Sequence, residues 1–303
     1  MIITRTPYRI SFFGGGTDYP SWYRKNGGQV LSTTIDKYVY ITCRYLPPFF
    51  DHRVRLAYSE VEECYSADEL QHPSARAVLR FLNINDGVEI HYDGDLPAKS
   101  GMGSSSVFVV GLMNLLNNFQ GKKIKKKMLA QKSIHFEQKI LKDVVGSQDQ
   151  IAVTHGGFNN IKFLKSGKFK VVPMTIPKKR YDNLQSHLML FFTGISRISS
   201  KIAIDMINNI DSKAKEISLI DSSVNKGIHI LTNENLDIIE FGILLDQAWQ
   251  IKKTLSNKVS NPRIDSIYKK AIQAGAIGGK VLGAGGGGFL FMIVSVLMVN
   301  INY

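Results

Sequence analysis

Over residues 38–44 (YVYITCR), Val39, Ile41 and Cys43 fall on one face and Tyr38, Tyr40 and Thr42 on the other. That period of two predicts a strand. Residues 88–92 (VEIHY) alternate in the same way, and 158–172 reads as a hairpin turning at Lys165-Ser166-Gly167. Helical periodicity marks 67–82, 104–118 and 126–142. The polar, proline-initiated stretch 177–183 (PKKRYDN) places a boundary, dividing the chain into 1–178 and 179–303. Beyond it, 188–193 (LMLFFT) predicts a buried strand, helices occupy 196–256 and 262–274, and a glycine-rich loop and strand follow. Strands and helices mix in both halves without strict βαβ repetition, so the class is α+β.

Composition narrows the partners. The 303 residues carry only two cysteines, Cys43 and Cys64, too few for a disulfide scaffold and not spaced for structural zinc. The N-terminus lacks the basic-then-apolar pattern of a signal peptide. The longest apolar run, Phe289–Val299, falls short of the roughly 20 residues of a membrane span. A cytoplasmic, soluble protein is expected. Lys and Arg number 38 against 25 Asp and Glu, a net charge of +13, which suits anionic ligands. The densest basic run, Lys122 to Lys127, has no interleaved aromatic and reads as a solvated helix start, so no nucleic-acid partner is expected.

Three glycine clusters follow strand-like or loop segments: Gly14-Gly15-Gly16-Thr17-Asp18, Pro97 to Ser106 (PAKSGMGSSS), and Gly283 to Gly288 (GAGGGG). The third fits GxGxxG, but no helix and acidic residue follow it as a dinucleotide site requires, and no GxxxxGK[ST] occurs. The second leads into an apolar helix, Val107 to Leu116. A buried helix start has orphan N–H groups and partial positive charge. Its serines can cap it, or the start can hold a phosphate; three serines and two glycines exceed what a cap needs.

Two carboxylates carry candidate chemistry. Ala130, Ile134, Glu137 and Leu141 share one helical face, which sets Glu137 in an apolar stripe. It requires a cation, either magnesium beside substrate phosphates or a lysine, or else a proton. In Gly146-Ser147-Gln148-Asp149-Gln150, Asp149 is either the N-cap of the next helix or a proton acceptor for a substrate hydroxyl.

Taken together, residues 7–19 (PYRISFFGGGTDY), 97–106 (PAKSGMGSSS) and 280–289 (KVLGAGGGGF), with the lone Glu137 and the Asp149 segment, resemble the three motifs of the GHMP kinases in their fixed order. Met102 stands for the usual Leu and Ser106 for the usual Ala. The resemblance runs from residue 2 to about 293. Within the family the chain most resembles the D-glycero-D-manno-heptose 7-phosphate kinases, through 9–20, 31–42, 72–79, 101–112, 146–152 and 193–197. Galactokinases carry Glu-His where this chain has Gly15-Gly16, which argues against galactose.

The resemblance implies a two-lobed fold, with a ribosomal-protein-S5-like N-terminal lobe, a ferredoxin-like C-terminal lobe, and the site between them. It implies an ATP- and Mg2+-dependent sugar kinase making the 1,7-bisphosphate for surface polysaccharide; another sugar or small alcohol, or a non-catalytic sensor, is the alternative. Lys99, Ser100, Gly101, Met102, Gly103, Ser104, Ser105 and Ser106 would bind ATP. Ser105 and Glu137 would hold magnesium, and Asp149 and Arg9 would be catalytic. Gly15, Gly16, Thr17, Asp18, Arg76, Arg197, Gly285 and Gly286 would contact the sugar phosphate. Relatives continue past the third motif with a helix and strand. Here the chain turns into 293–303 (IVSVLMVNINY), so an incomplete C-terminal sheet with an exposed apolar edge is expected.

Overall fold

A computed structural model describes residues 1–98, 100–196 and 199–295. The chain runs β1 (Ile2–Phe13), α1 (Pro20–Asn26), β2 (Gly28–Tyr45), β3 (Val54–Ala57), β4 (Val61–Cys64), α2 (Pro73–Phe81), β5 (Val88–Gly94) and α3 (Ser104–Phe119). It continues with α4 (Lys126–His135), α5 (Gln148–His155), β6 (Phe158–Phe163), β7 (Phe169–Pro173) and α6 (Lys178–Ser186). The last elements are β8 (Leu188–Phe192), α7 (Ser199–Asn208), α8 (Ala214–Thr232), α9 (Ile239–Lys253), α10 (Pro262–Gln273), β9 (Ala276–Val281) and β10 (Phe289–Val294).

β1 to β7 form one sheet, ordered β4-β3-β5-β2-β6-β7 with β1 also on β2. The second sheet is β8-β10-β9. The long strand β2 is the spine of the first, pairing antiparallel with β1 along most of its length on one edge and with β6 and then β5 on the other. β1 slips register against it between Pro7 and Arg9 and again between Ser11 and Phe13. Such irregularities re-aim side chains. Here they flank Arg9 and Ser11, both of which reach α5.

Two expected helices are interrupted. The stretch 67–82 is a 3-10 turn over Ala67–Glu69 and then α2, which restarts at Pro73 with His72 as its cap. Proline suits a first helical position because it has no N–H to satisfy. The stretch 126–142 is α4 followed by a π-helical turn, Phe136–Ile140. The lysines around 122–127 are exposed where α4 begins, which is the solvated helix start read from the sequence.

α3 packs on β1 and β2 and is buried on nearly every side, as its apolar composition demands. α9 packs on β9 and β10 of the second sheet, and α8 packs on α9 and on β1 and β2 of the first. Phe12 lies 5.4 Å from Phe241 and 5.6 Å from Phe291, and Phe13 lies 5.0 Å from Phe241, mostly edge-on. Edge-on packing is a favoured aromatic geometry, and these rings make the core continuous between the sheets. One polar tie runs through it. Lys280 of β9 is buried and donates from Nζ to the carbonyls of Ser11 (2.9 Å) and Phe12 (3.0 Å). Burial pushes its ammonium down to about 7; the Arg9 charge adds to that shift and Asp18 opposes it.

Leu190, Phe191 and Phe192 of β8 are exposed. Residues 296–303, on which the expectation of an incomplete sheet partly rests, lie outside the described residues.

Replacing Lys280 with methionine removes the Nζ donor that the Ser11 and Phe12 carbonyls share. A buried unmet acceptor costs about 1–3 kcal/mol. Lys280→Met should therefore unfold at clearly lower urea concentration, with Lys280→Arg intermediate. A Met variant as stable as the wild type would show that the tie contributes nothing.

Candidate active site

The three glycine loops meet at one cleft of about 850 Å³. Its wall includes Arg9, Gly15, Gly16 and Asp18 from the first loop region, Gly101, Gly103, Ser104, Ser105 and Ser106 from the second, and Gly283 and Ala284 from the third. The third loop also locks onto the second, where Phe289 N donates to Ser100 O at 3.0 Å. A side chain on Gly288 would strike that same carbonyl.

Arg9 organises the floor. Its Nε and Nη2 donate to the two carboxylate oxygens of Asp149 at 2.8 and 2.6 Å, and its Nη1 donates to Gly101 O at 2.8 Å. Such a fork fixes a carboxylate in plane as well as pairing its charge. Ser11, two residues on, donates to Gln148 Oε1 at 2.6 Å, so alternate residues of β1 hold adjacent residues of α5. Asp149 is not the N-cap of α5. Ser147 takes that position, and Asp149 sits in the first helical turn, where the helix dipole favours an anion. The Arg9 side chain is 4% exposed and the Asp149 side chain 24%, so the pair opens to the cleft on the carboxylate side.

Asp18 lies beside it, 1% exposed. Its carboxyl accepts from Gly16 N at 3.0 Å and Gln148 N at 3.4 Å. Burial raises its pKa, and the Asp149 charge adds to that. Loop 146–148 wraps Asp18 so closely that a Cβ on Gly146 would fall 1.8 Å from Asp18 Oδ2, so only glycine fits there.

The start of α3 is capped by no side chain. Gly103 is its N-cap residue, left-handed at φ 84°, and none of the three serines closes the end. This overturns the reading of a serine-capped core helix and leaves amide donors facing the cleft, as an anion requires. Gly103 also sits against the Arg9–Asp149 pair: a Cβ there would lie in ordinary contact, 3.4 Å from Asp149 Oδ2 and 3.5 Å from Arg9 Cζ.

Glu137 is fully buried. Ser106 donates to its Oε2 at 2.9 Å, and Gln150 also donates to Oε2, while Oε1 has no partner. The hydroxyl on Glu137 is thus Ser106's; Ser105 is exposed at the cleft. No lysine pairs with Glu137 among the described ion pairs, all of which lie elsewhere. Burial pushes its carboxyl up to about 8. A buried carboxyl with an open oxygen, neutral hydrogen-bond partners and the acidic Asp149 and Asp143 nearby fits a divalent cation.

Several expected contacts lie elsewhere. Arg76 turns away and donates to Leu70 O at 2.8 Å, where the helix is broken. Thr17 is buried on Gly14 O and Gln29 O. Met102 packs in the core and Ser100 is buried. Gly286 N donates to Val259 O and Gly285 backs onto the same carbonyl, so Gly283 and Ala284 face the cleft instead. Lys99 and Arg197 lie outside the described residues.

The structure adds residues that the sequence did not single out. Tyr58, His72, Tyr92 and Phe108 wall the cleft, with His72 4.9 Å from Phe108 and 5.0 Å from Tyr58 between ring centres. His72 caps α2 by accepting from Ala75 N, and burial lowers its pKa. Gln148, Met206 and Lys252 line the cleft too.

Comparison with known proteins agrees with this geometry. Residues 71–157 match the model of the GHMP kinases N terminal domain, and 232–295 match that of the GHMP kinases C terminal. The D-glycero-alpha-D-manno-heptose 7-phosphate kinase of Campylobacter jejuni is 31% identical over 97% of this chain and 89% of its own. The chain belongs to the GHMP kinases. A GHMP kinase is a phosphotransferase that acts on an alcohol group. The galactokinase of Pyrococcus furiosus is 27% identical over 97% of this kinase and 89% of its own length. The fold is shared with a crystallised D-glycero-D-manno-heptose 1-phosphate kinase from Bacteroides thetaiotaomicron, at TM-score 0.79 and 23% identity, covering 99% of this chain and 90% of that one. No described helix of this kinase is long and apolar enough to cross a membrane.

The raised Glu137 pKa has a signed consequence. The folded state binds a proton that the unfolded state releases near pH 4.5. Its contribution to stability is therefore full below that pH and is lost as pH rises through about 8. In chelator, Glu137→Gln should match the wild type at pH 5 and melt higher at pH 8.5. An equal gap at both values would contradict the assignment.

Proposed function

We propose that this kinase transfers the γ-phosphoryl group of ATP to the anomeric hydroxyl of D-glycero-D-manno-heptose 7-phosphate, giving the 1,7-bisphosphate for an activated heptose used in surface polysaccharide. The observation that carries the reading is the opposition of two features across one cleft. The uncapped start of α3 can take the ATP phosphates, and the Arg9-held carboxylate of Asp149 faces it as the anchor for an acceptor hydroxyl. The 31% identity to a heptose 7-phosphate kinase supports the choice of sugar.

The lining divides by chemistry. The wall of Tyr58, His72, Tyr92 and Phe108, beside the first turns of α3, suits a nucleobase. Gly15, Gly16, Asp18, Gln148 and Asp149 cluster on the other side, where hydroxyls would find acceptors and donors. The acceptor oxygen forms the new bond to the γ-phosphorus as the bond to the β–γ bridging oxygen breaks and ADP leaves. The acceptor's proton passes to the free lone pairs of Asp149. Phosphoryl transfer depends on positioning and charge neutralisation, so the α3 amides and the Arg9 guanidinium carry much of it. Magnesium would be held by Glu137 with the serine hydroxyls of the first turn of α3, neutralising phosphate charge.

The lobes of the reading are 1–178 and 179–303. ATP and a sugar phosphate are its substrates, in the cytoplasm, with no nucleic acid or membrane partner.

ADP release should be followed against heptose 7-phosphate, unphosphorylated heptose, galactose, fucose, mevalonate and homoserine. Turnover is expected with the heptose 7-phosphate, with a new anomeric phosphate in the phosphorus NMR spectrum. Asp149→Asn should lose on the order of 10²-fold or more in kcat with ATP affinity kept. Turnover on another acceptor alone would replace the sugar, and an Asn variant at full kcat would remove Asp149 from the chemistry.

A further inference from the structure

The acceptor side of the cleft is built by the first glycine loop and the start of α5, and the polar groups of that loop are largely engaged. Gly16 N donates to Asp18 Oδ1 at 3.0 Å, and Thr17 is turned onto Gly14 O and Gln29 O. Asp18 can only accept when ionised, and it is buried. Gly15 and Gly16 carry no side chain at the two positions where galactokinases carry Glu-His. A sugar seated here meets few donors from the loop itself.

Gln148 supplies one. It is the first residue of α5, half-buried, and its side chain lines the cleft with Gly15, Asp18 and Asp149. The two ends of its amide are told apart by their neighbours. Ser11 donates to Oε1 at 2.6 Å. On the other side, the backbone N–H of Gln148 donates to Asp18 Oδ2 at 3.4 Å. Burial raises the Asp18 pKa, and the Gln148 side chain opposes that rise as a hydrogen-bond donor. Turning the amide over would set Oε1 against the Asp18 carboxylate, acceptor against acceptor, so the NH2 group is held on the side of Asp18 and the cleft. That group has two protons. One serves Asp18; the other has no acceptor among the described residues, and Nε2 opens to the cleft. Gly15 keeps the way to it clear. A Cβ there would already lie 3.9 Å from Nε2, so a longer side chain would stand over the amide.

We propose that Gln148 binds the sugar acceptor by donating from Nε2 to the hydroxyl on the carbon next to the reacting one; this rests on the reading of the cleft as a sugar-kinase site. For an anomeric acceptor that is the hydroxyl on C2. Gln148 and Asp149 are consecutive in the first turn of α5, and Ser11 and Arg9 of β1 hold their side chains. The two contacts therefore keep a fixed spacing, and so do two neighbouring ring hydroxyls. Binding both sets the rotation of the sugar ring, and with it the line from the acceptor oxygen to the γ-phosphorus.

The test is kcat/KM for heptose 7-phosphate and for its 2-deoxy analogue, in wild type, Gln148→Met and Gln148→Asn, with the KM for ATP followed in parallel. Met keeps the length of the side chain and removes the donor. Asn keeps the amide but draws it back by one carbon, which covers the case in which Met fails to fold. The wild type should lose roughly 10-fold or more on the deoxy sugar, because a site built to bond a hydroxyl is left unpaired without it. Both variants should lose a similar factor on the full sugar and almost nothing further on the deoxy one, with the KM for ATP unchanged. A variant slowed equally on both sugars would keep the wild-type preference; that would leave Gln148 a structural role alone and overturn the proposal while the kinase reading stands. A wild type indifferent to the 2-hydroxyl would overturn it as well. A wild type that turns over neither sugar but phosphorylates another kind of alcohol would overturn the sugar reading and this contact together.

Discussion

The fork between Arg9 and Asp149 is the contact on which the cleft depends. One guanidinium ties β1 to α5 through two charge-assisted bonds and ties both to the second glycine loop through Gly101 O. The backbone N–H of Arg9 also reaches Met102 O at 3.4 Å. Three elements that are distant in sequence therefore share one rigid planar group. The left-handed backbone of Gly103, at φ 84°, favours glycine, and a Cβ there would touch Arg9 and Asp149 in ordinary contact. The start of α3 and the Arg9–Asp149 pair are in this way built against each other.

Around the fork, electrostatics and apolar packing divide the labour. Phe12, Phe13, Phe241 and Phe291 join the two sheets without direction. Lys280 and the Phe289–Ser100 bond supply the direction, fixing the height of β1 and the seat of the third loop on the second. The acids behave differently according to their neighbours. Asp149 faces a cation at short range. Asp18 and Glu137 are buried among amides, hydroxyls and amide side chains, so burial raises the pKa of both. Such strained ionisation is characteristic of functional sites, and a bound cation would relieve it at Glu137.

Much of this was legible in the sequence, for reasons that differ from residue to residue. The period-two segments 38–44 and 88–92 became parts of β2 and β5 because half-buried strands demand alternation. Glu137 stood out because a carboxylate in an apolar helical stripe needs an explanation. The break of 126–142 into α4 and a π turn left no trace, since the apolar spacing continues across it. The first helical stretch was placed too early, although Pro73 marked the true start. Arg76 lay in a suggestive stretch, but spacing cannot say which way a long side chain turns, and the broken helix end at Leu70 claims it. Lys252 was hidden beside Lys253, where paired lysines late in a helix read as surface; only tertiary packing buries one of them. Ser105 and Ser106 are adjacent, and the side each takes depends on the rotation of α3 about its axis.

If the fork is one functional unit, removing either half should do nearly all the damage. The direct measurement is a double-mutant cycle on kcat/KM with Arg9→Met, Asp149→Asn and the pair together. Groups acting as a unit give grossly non-additive losses, so the account predicts a double variant scarcely slower than the worse single one. Losses that multiply would mean that Arg9 and Asp149 act independently, and would contradict it.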